Sequence, residues 1–125
     1  SLVQQIMGDR APALRSSMER AAMTRRLLLR VVAHTALRDE TFVQIMKQLS
    51  DNPRRASCIR GWTLLDVCLK SFPPSDILEN FLEGFVRTRT PGMGEMSARL
   101  SLLYQTALDG AKPVPSMEQL CEWIV

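Results

Sequence analysis

Residues 37–75 read LRDETFVQIMKQLSDNPRRASCIRGWTLLDVCLKSFPPS and contain two helical patterns separated by a proline turn. In the first pattern, apolar residues recur at i, i+3, i+4 and i+7, which is typical of an amphipathic helix with one buried face. These residues are Phe42, Ile45, Met46 and Leu49. The spacing predicts a helix that packs one face against a core.

Two carboxylates, Asp39 and Glu40, fall in the first turn of this predicted helix, which we place over residues 37–49. Carboxylates at a helix N-terminus interact favourably with the helix dipole, by a few tenths to about 1 kcal/mol. Paired catalytic carboxylates would instead need a pocket and shifted pKa values. The pattern favours helix initiation and local pairing over catalysis.

The second pattern, over about residues 57–72, is apolar on nearly all sides and predicts the central helix of the fold. Gly61 lies inside it and costs roughly 1 kcal/mol relative to alanine, which is reasonable if another backbone approaches closely beside Trp62. Pro73 and Pro74 end the helix because proline lacks an amide hydrogen and disfavours helical geometry in the residue before it.

Working outward, glycine and proline divide the rest of the chain into further apolar segments at helical spacing, and strand-like alternation is absent. These segments cover about residues 2–7, 14–35, 76–86, 93–107 and 116–124. Ser75 or Asp76 and then Ser116 are suitable N-caps. The fold class predicted is all-α, a compact helical bundle of about six helices. Several large side chains at helical spacing are expected to be core residues: Met18, Met46, Trp62, Phe81, Met96 and Met117.

Residue content argues against several kinds of chemistry. The three cysteines form no C-x-x-C pair, and His34, the only histidine, lies at a predicted helix end. The sequence has no glycine-rich phosphate loop, no G-x-S-x-G segment and no carboxylate cluster at metal spacing. We therefore expect no catalytic residue, no cofactor, no metal site and no enzymatic activity. No apolar run approaches the roughly 18 residues of a membrane span, so we expect no such span and a cytoplasmic location.

The formal net charge of +3 is mild for a chain of 125 residues. A dedicated nucleic-acid module usually concentrates much more basic charge on one face, so we expect no nucleic-acid partner. Placement of the cations matters more than their sum. Seven of them form a candidate basic surface for an acidic protein partner: Arg25, Arg26, Arg30, Lys47, Arg54, Arg55 and Lys70. The alternative interpretation is an ordinary charged surface that aids solubility.

Six short segments go beyond generic helix patterning. They are MGD at residues 7–9, LRDE at 37–40, Q-x-x-KQ at 44–48, NP at 52–53, RGW-x-LL at 60–65 and FPPS at 72–75. In order and spacing they resemble the myosin tail homology 4 domain, found in unconventional myosin tails, some kinesins and related proteins that contain a FERM domain. The resemblance covers approximately residues 2–108 and implies a compact all-helical bundle.

The resemblance also implies roles and a domain organisation. Eight motif residues look like scaffold, with a charged network that bridges helix ends and an aromatic core anchor: Arg38, Asp39, Glu40, Arg60, Gly61, Trp62, Pro73 and Pro74. If Arg38 or Arg60 is buried with a carboxylate, loss of that partner should be costly. Residues 1–110 would form the bundle, and 111–125 would form either its last helix or the lead-in to a following domain, such as FERM.

Two functions remain open after this reasoning. The first is a non-enzymatic cytoskeletal adaptor in a larger motor or signalling protein, which binds protein cargo, tubulin in microtubules or an adjacent FERM domain in the same chain. It would be cytoplasmic and associated with the cytoskeleton. The alternative is a purely structural spacer that orders the neighbouring domain and has no ligand of its own.

Overall fold

A computed structural model describes residues 1–8 and 16–124 of the chain. Seven helices occupy these residues, so the predicted all-α fold is confirmed, with one helix more than the approximate six. In chain order they are α1 (Leu2–Met7), α2 (Ser17–Ala33), α3 (Thr35–Ser50), α4 (Arg55–Ser71), α5 (Asp76–Arg89), α6 (Met93–Asp109) and α7 (Met117–Ile124). Asp9 of the MGD segment and the first two residues of the predicted second helix lie outside the described residues.

Hydroxyl side chains set most of the helix starts. The Ser16 hydroxyl accepts a hydrogen bond from the amide of Glu19 at 3.1 Å, and the Ser116 hydroxyl accepts one from the amide of Gln119 at 3.1 Å. Each bond satisfies an amide that the first helical turn leaves without a partner. Of the two candidate caps for α5, the structure uses Ser75, which leaves Asp76 as the first helical residue.

The third helix begins earlier than its apolar spacing indicates. Helix α3 starts at Thr35, directly after His34, so Asp39 and Glu40 lie in its second turn and the prediction that they occupy the first turn is wrong. The exposed His34 is both the C-cap of α2 and the N-cap of α3. The two carboxylates are therefore too far from the α3 N-terminus to initiate it.

Helix α4 is central, as its composition predicts, and packs against α1, α2, α3, α6 and α7. Its residues Leu65, Cys68 and Leu69 have no exposed surface. The helix is not buried on all sides, although its apolar sequence suggests that it would be. Ile59 in its first half is 58% exposed. Within the described residues, helix α5 packs on α3 and α6 and contacts α4 through the Phe85 and Trp62 rings, and α7 packs on α2 and α4.

Two of the expected core residues are on the surface. Met18 near the start of α2 is 67% exposed, and Phe81 on α5 is 68% exposed. Met46 is buried, while Trp62, Met96 and Met117 are partly buried against the core, as expected of them. Across residues 1–8 and 16–124, no helix combines the length and apolar character that crossing a membrane requires.

Gly61 is needed for close packing, although the neighbours are side chains and not the backbone that its position suggested. A Cβ atom added there would lie 2.7 Å from the Met7 Cε atom and 2.8 Å from the Leu49 Cδ2 atom. Real Cβ atoms almost never approach so closely. The glycine therefore lets α1 and α3 pack against α4.

We expect the substitution Gly61→Val to lower the free energy of unfolding by about 2 kcal/mol, because it overpacks a tightly filled contact. Gly84→Val is the matched control: its Cβ would enter open space, so the expected change is within about 0.5 kcal/mol. Urea unfolding monitored by circular dichroism compares the two variants. Equal effects at both positions would contradict the packing role of Gly61.

Candidate partner-binding surface

The two motif arginines of the predicted scaffold lie at helix ends. The Arg38 guanidinium donates a hydrogen bond to the carbonyl of Val32 at 2.8 Å, in the last turn of α2. The Arg60 guanidinium donates one to the carbonyl of Met7 at 2.6 Å, at the end of α1. Both partners are carbonyls that have no amide partner because they lie at a helix C-terminus. A cation at this position also interacts favourably with the negative end of the helix dipole. Each arginine thus joins its own helix to the end of another.

Asp39 connects α3 to α5 through the residue that follows the proline pair. Its carboxylate accepts hydrogen bonds from the Ser75 amide, at 2.8 Å, and from the Ser75 hydroxyl. Ser75 is also the N-cap of α5, and Pro74 before it is buried. Glu40 is different, because it is exposed and lines a shallow cleft with Arg30.

Trp62 joins a network that sequence reasoning missed. Its ring lies 5.7 Å from the Phe85 ring, and the Arg99 guanidinium lies 4.4 Å from the centre of the indole. Arg99 is buried and pairs with Asp66 through two hydrogen bonds, of 2.6 and 3.3 Å. A signal was present, since Asp66 interrupts the most apolar segment and Arg99 directly precedes Leu100 on the apolar side of α6.

Two of the seven candidate cations contact the C-terminal segment of the chain. The Arg25 guanidinium donates a hydrogen bond to the carbonyl of Pro115 at 3.2 Å. The Lys70 ammonium lies 4.5 Å from the centre of a Trp123 ring, which is a cation–π contact. Both side chains are half-buried. These two cations stabilise the position of α7, and the structure does not bring them into an open basic patch.

The other five candidate cations are exposed and fall into two groups. Arg26 and Arg30 lie on α2, one turn apart. The second group, which we call the turn cluster, is formed by Lys47, Arg54 and Arg55 where α3 passes into α4. Lys47 and Arg54 border the same shallow surface cleft, together with Gln48, Asp51, Asn52 and Pro53.

Asn52 holds the turn that presents this cluster. Its side-chain oxygen accepts a hydrogen bond from the Arg54 amide at 2.9 Å, and its amide group donates one to the Ser57 hydroxyl at 2.9 Å. Its backbone carbonyl accepts a bond from the Cys58 thiol at 3.4 Å. The backbone of the turn is therefore fixed from both sides, so the cations begin from a defined position and need little ordering of the backbone to meet a partner.

The described residues contain no group of three or more histidine, cysteine or carboxylate side chains that could hold a metal ion. Cys68 is fully buried, and this burial raises the pKa of its thiol far above the usual range. A thiol with a raised pKa is a poor nucleophile, which agrees with its interpretation as a small core residue.

These features define a class of protein, an all-helical module. Its motif arginines bind carbonyls at the ends of its own helices, and five of its candidate cations are exposed to solvent. A family model described as the MyTH4 domain matches residues 24–118. The chain belongs to the MyTH4 domain family, and the resemblance carried by its motifs is confirmed.

Relatives of the chain include myosins and a kinesin-like protein. It is 35% identical over 100 residues, or 79% of its length, to the high molecular weight form of myosin-1 from Acanthamoeba castellanii. It is 38% identical over 85 residues, or 68% of its length, to the kinesin-like protein KIN-14I from Oryza sativa subsp. japonica. The chain spans only 6% and 7% of these two relatives, so it corresponds to a small part of each.

Solved structures agree with this assignment. The human myosin 7b C-terminal MyTH4-FERM domain, in complex with the harmonin-a PDZ3 domain, superposes with a TM-score of 0.80 at 28% identity. That match covers 98% of this chain and 26% of the other. The Dictyostelium discoideum myosin VII MyTH4-FERM domain superposes with a TM-score of 0.75 at 25% identity, over 97% of this chain and 27% of the other.

Proposed function

We propose that this chain is a non-enzymatic adaptor module in the tail of a larger cytoskeletal motor or signalling protein, next to a FERM domain. Its partner would be a protein, either the acidic tails of tubulin in microtubules or a protein cargo, and its location cytoplasmic and cytoskeleton-associated. The observation that carries the proposal is the turn cluster, which presents three exposed cations on a hydrogen-bonded turn. Relatives among myosins and kinesins support the cytoskeletal setting.

Docking at the turn cluster would be Coulombic. An exposed ion pair contributes only about 0.2 to 1 kcal/mol, so Lys47, Arg54 and Arg55 must act together to give measurable binding. Such binding is screened by salt, because the reach of exposed charges falls to about 7 Å near 0.2 M ionic strength. The proposed interaction is weak and strongly dependent on salt.

We further propose that residues 1–110 and α7 form one unit, with α7 as the last helix of the bundle and not the lead-in to the next domain. The Lys112 amide donates a hydrogen bond to the Ser71 carbonyl at 2.8 Å, which fastens the connection before α7. Leu120 of α7 has no exposed surface. A lead-in segment would not need to bury its central residue in the bundle.

The charge-reversed variant with Arg54→Glu and Arg55→Glu is expected to bind microtubules at least about tenfold more weakly than the unmodified chain at low salt. Folding should be preserved, because both positions lie at the α4 N-terminus, where a carboxylate interacts favourably with the positive end of the helix dipole. Cosedimentation at increasing microtubule concentration measures the affinity, and repetition at rising salt measures the screening.

The matched control reverses Arg26 and Arg30 to Glu, which changes the net charge by the same amount on α2. It should retain most of the binding if the turn cluster is the contact. Binding that does not depend on salt, or that survives reversal at Arg54 and Arg55, would rule out the proposed mechanism.

The structural spacer remains a second candidate because the scaffold residues Arg38, Asp39 and Arg60 all brace the fold itself. A spacer would bind no partner alone, yet would raise the melting temperature of the neighbouring domain when both are in one chain. Thermal unfolding of the neighbour with and without this chain distinguishes the two functions.

A further inference from the structure

Helix α5 has a face that residues 1–8 and 16–124 leave uncovered. The helix packs on α3 and α6 through Leu82 and Val86, which have no exposed surface. Roughly opposite these residues lies what we call the α5 stripe, a set of four exposed residues. They are Ile77, Phe81, Gly84 and Thr88. At about 100° per residue they fall within about 60° of the helix circumference.

The exposure along the stripe is unusually apolar. Ile77 is 94% exposed and Phe81 is 68% exposed, and they lie one turn apart. On α6, Tyr104 and Leu108 are also exposed, at 41% and 84%. The Tyr104 hydroxyl accepts a hydrogen bond from Arg87 on α5 at 3.0 Å, which places this part of α6 next to the stripe. Ile77 and Phe81 therefore form an exposed apolar pair on α5, and neighbouring exposed apolar side chains are a common feature of interaction sites.

No contact among the described residues explains why position 84 is a glycine. A Cβ atom added there would meet nothing within 4 Å, in contrast to Gly61, and its backbone is that of an ordinary helix. A glycine at an exposed helical position costs about 1 kcal/mol relative to alanine. What the glycine does provide is a notch in the stripe, one turn from the protruding ring of Phe81.

We propose that a second copy of this chain packs on the stripe, with the two α5 helices antiparallel about a two-fold axis between residues 82 and 83. In that arrangement Phe81 of each copy lies over Gly84 of the other, and Ile77 lies against Thr88 of the other. The same surface is used by both copies, as a two-fold interface requires. The knob and the notch are complementary only when the helices run in opposite directions.

Charges at the edge of the stripe fit the same direction. Asp76 and Arg87 are eleven residues apart, so they lie within about 20° of each other on one side of α5. An antiparallel pair places Asp76 of one copy near Arg87 of the other, twice, whereas a parallel two-fold pair would put the charged edges of the two copies on opposite sides of the interface. Arg87 is held at this edge by Tyr104 and by Glu83, whose carboxylate lies 3.6 Å away. Antiparallel helix dipoles add to the preference.

Sedimentation equilibrium from about 10 µM to about 1 mM tests the association in the range expected of a small interface. The weight-average mass should rise from 14.1 kDa towards twice that value as concentration increases. A mass that stays at 14.1 kDa over the whole range would overturn the proposal.

The variants Gly84→Gln and Phe81→Gln should each weaken association at least about tenfold. Gly84→Gln is the sharper test, because glutamine is a better helix former than glycine and enters open space, so the fold should become more stable while the dimer becomes weaker. Met93→Gln is the matched control, since Met93 is 77% exposed but lies at the start of α6. Dimerisation that Gly84→Gln leaves unchanged would overturn the proposal.

Cross-linking tests the direction of the two helices. One chain carries Ile77→Cys and the other carries Thr88→Cys, and mild oxidation of the mixture should join position 77 of one copy to position 88 of the other. Peptide mapping identifies the joined positions and separates them from the natural cysteines. A disulfide between two copies of Ile77→Cys, in preference to the mixed product, would overturn the antiparallel arrangement. Because the stripe and the turn cluster lie on different helices, this proposal is independent of microtubule binding.

Discussion

Replacing Asp66 with leucine is expected to lower the free energy of unfolding by about 3 kcal/mol. The Arg99 side chain is only 9% exposed, and its guanidinium donates two hydrogen bonds to the Asp66 carboxylate. These bonds compensate for the burial of the arginine charge. Removing one partner of a buried pair leaves the other charge uncompensated, which costs about 3 to 5 kcal/mol. We take the lower value because Asp66 is 32% exposed and Glu95 lies 3.7 Å from Arg99. Urea unfolding monitored by circular dichroism measures the loss.

The double variant with Asp66→Leu and Arg99→Met is the control for this interpretation. Replacing both members of a buried pair with apolar residues of similar size is often nearly neutral, so the double variant should be more stable than Asp66→Leu alone. Such a result would show that the cost arises from the stranded guanidinium. If Asp66→Leu costs less than about 1 kcal/mol, water or Glu95 compensates Arg99 and the pair is not a structural element.

Helix positions were predictable from sequence because their signals are local. Pro73 and Pro74 end α4, and Ser116 caps α7, each through the geometry of adjacent residues. The buried face of α5 was harder to predict. Its apolar residues include both Phe81 and Leu82, and periodicity cannot show which side of α5 the other helices cover. Phe81 was therefore expected in the core although it lies on the surface.

The candidate site was predictable only in part, for a similar reason. Exposure of the turn cluster follows from the Asn52-Pro53 turn, which is visible in the sequence. The contacts of Arg25 and Lys70 are different, because their partners Pro115 and Trp123 are distant along the chain. No local pattern indicates such a contact. Seven cations of similar appearance in sequence thus divide into five on the surface and two that position α7.

Leu120→Ala is expected to lower the free energy of unfolding by about 3 kcal/mol, because it removes a fully buried side chain and leaves a cavity. Helix α7 has eight residues, too few for a stable helix on its own, so it depends on docking. Since Lys112, Arg25 and Lys70 also fasten this segment, we expect α7 to unfold together with the bundle. Circular dichroism and tryptophan fluorescence should then give one shared transition, shifted to lower urea.

Leu108→Ala provides the matched control, since Leu108 is 84% exposed and its truncation should change stability by less than about 0.5 kcal/mol. Two separate transitions in Leu120→Ala, with fluorescence changing first, would contradict the assignment of α7 to the bundle. Undocking would also release Lys70 from Trp123 and Arg25 from Pro115. Microtubule cosedimentation of that variant would then increase at low salt, because two further cations would join those already exposed. Unchanged cosedimentation is therefore expected of Leu120→Ala, and an increase would contradict the assignment of α7 to the bundle.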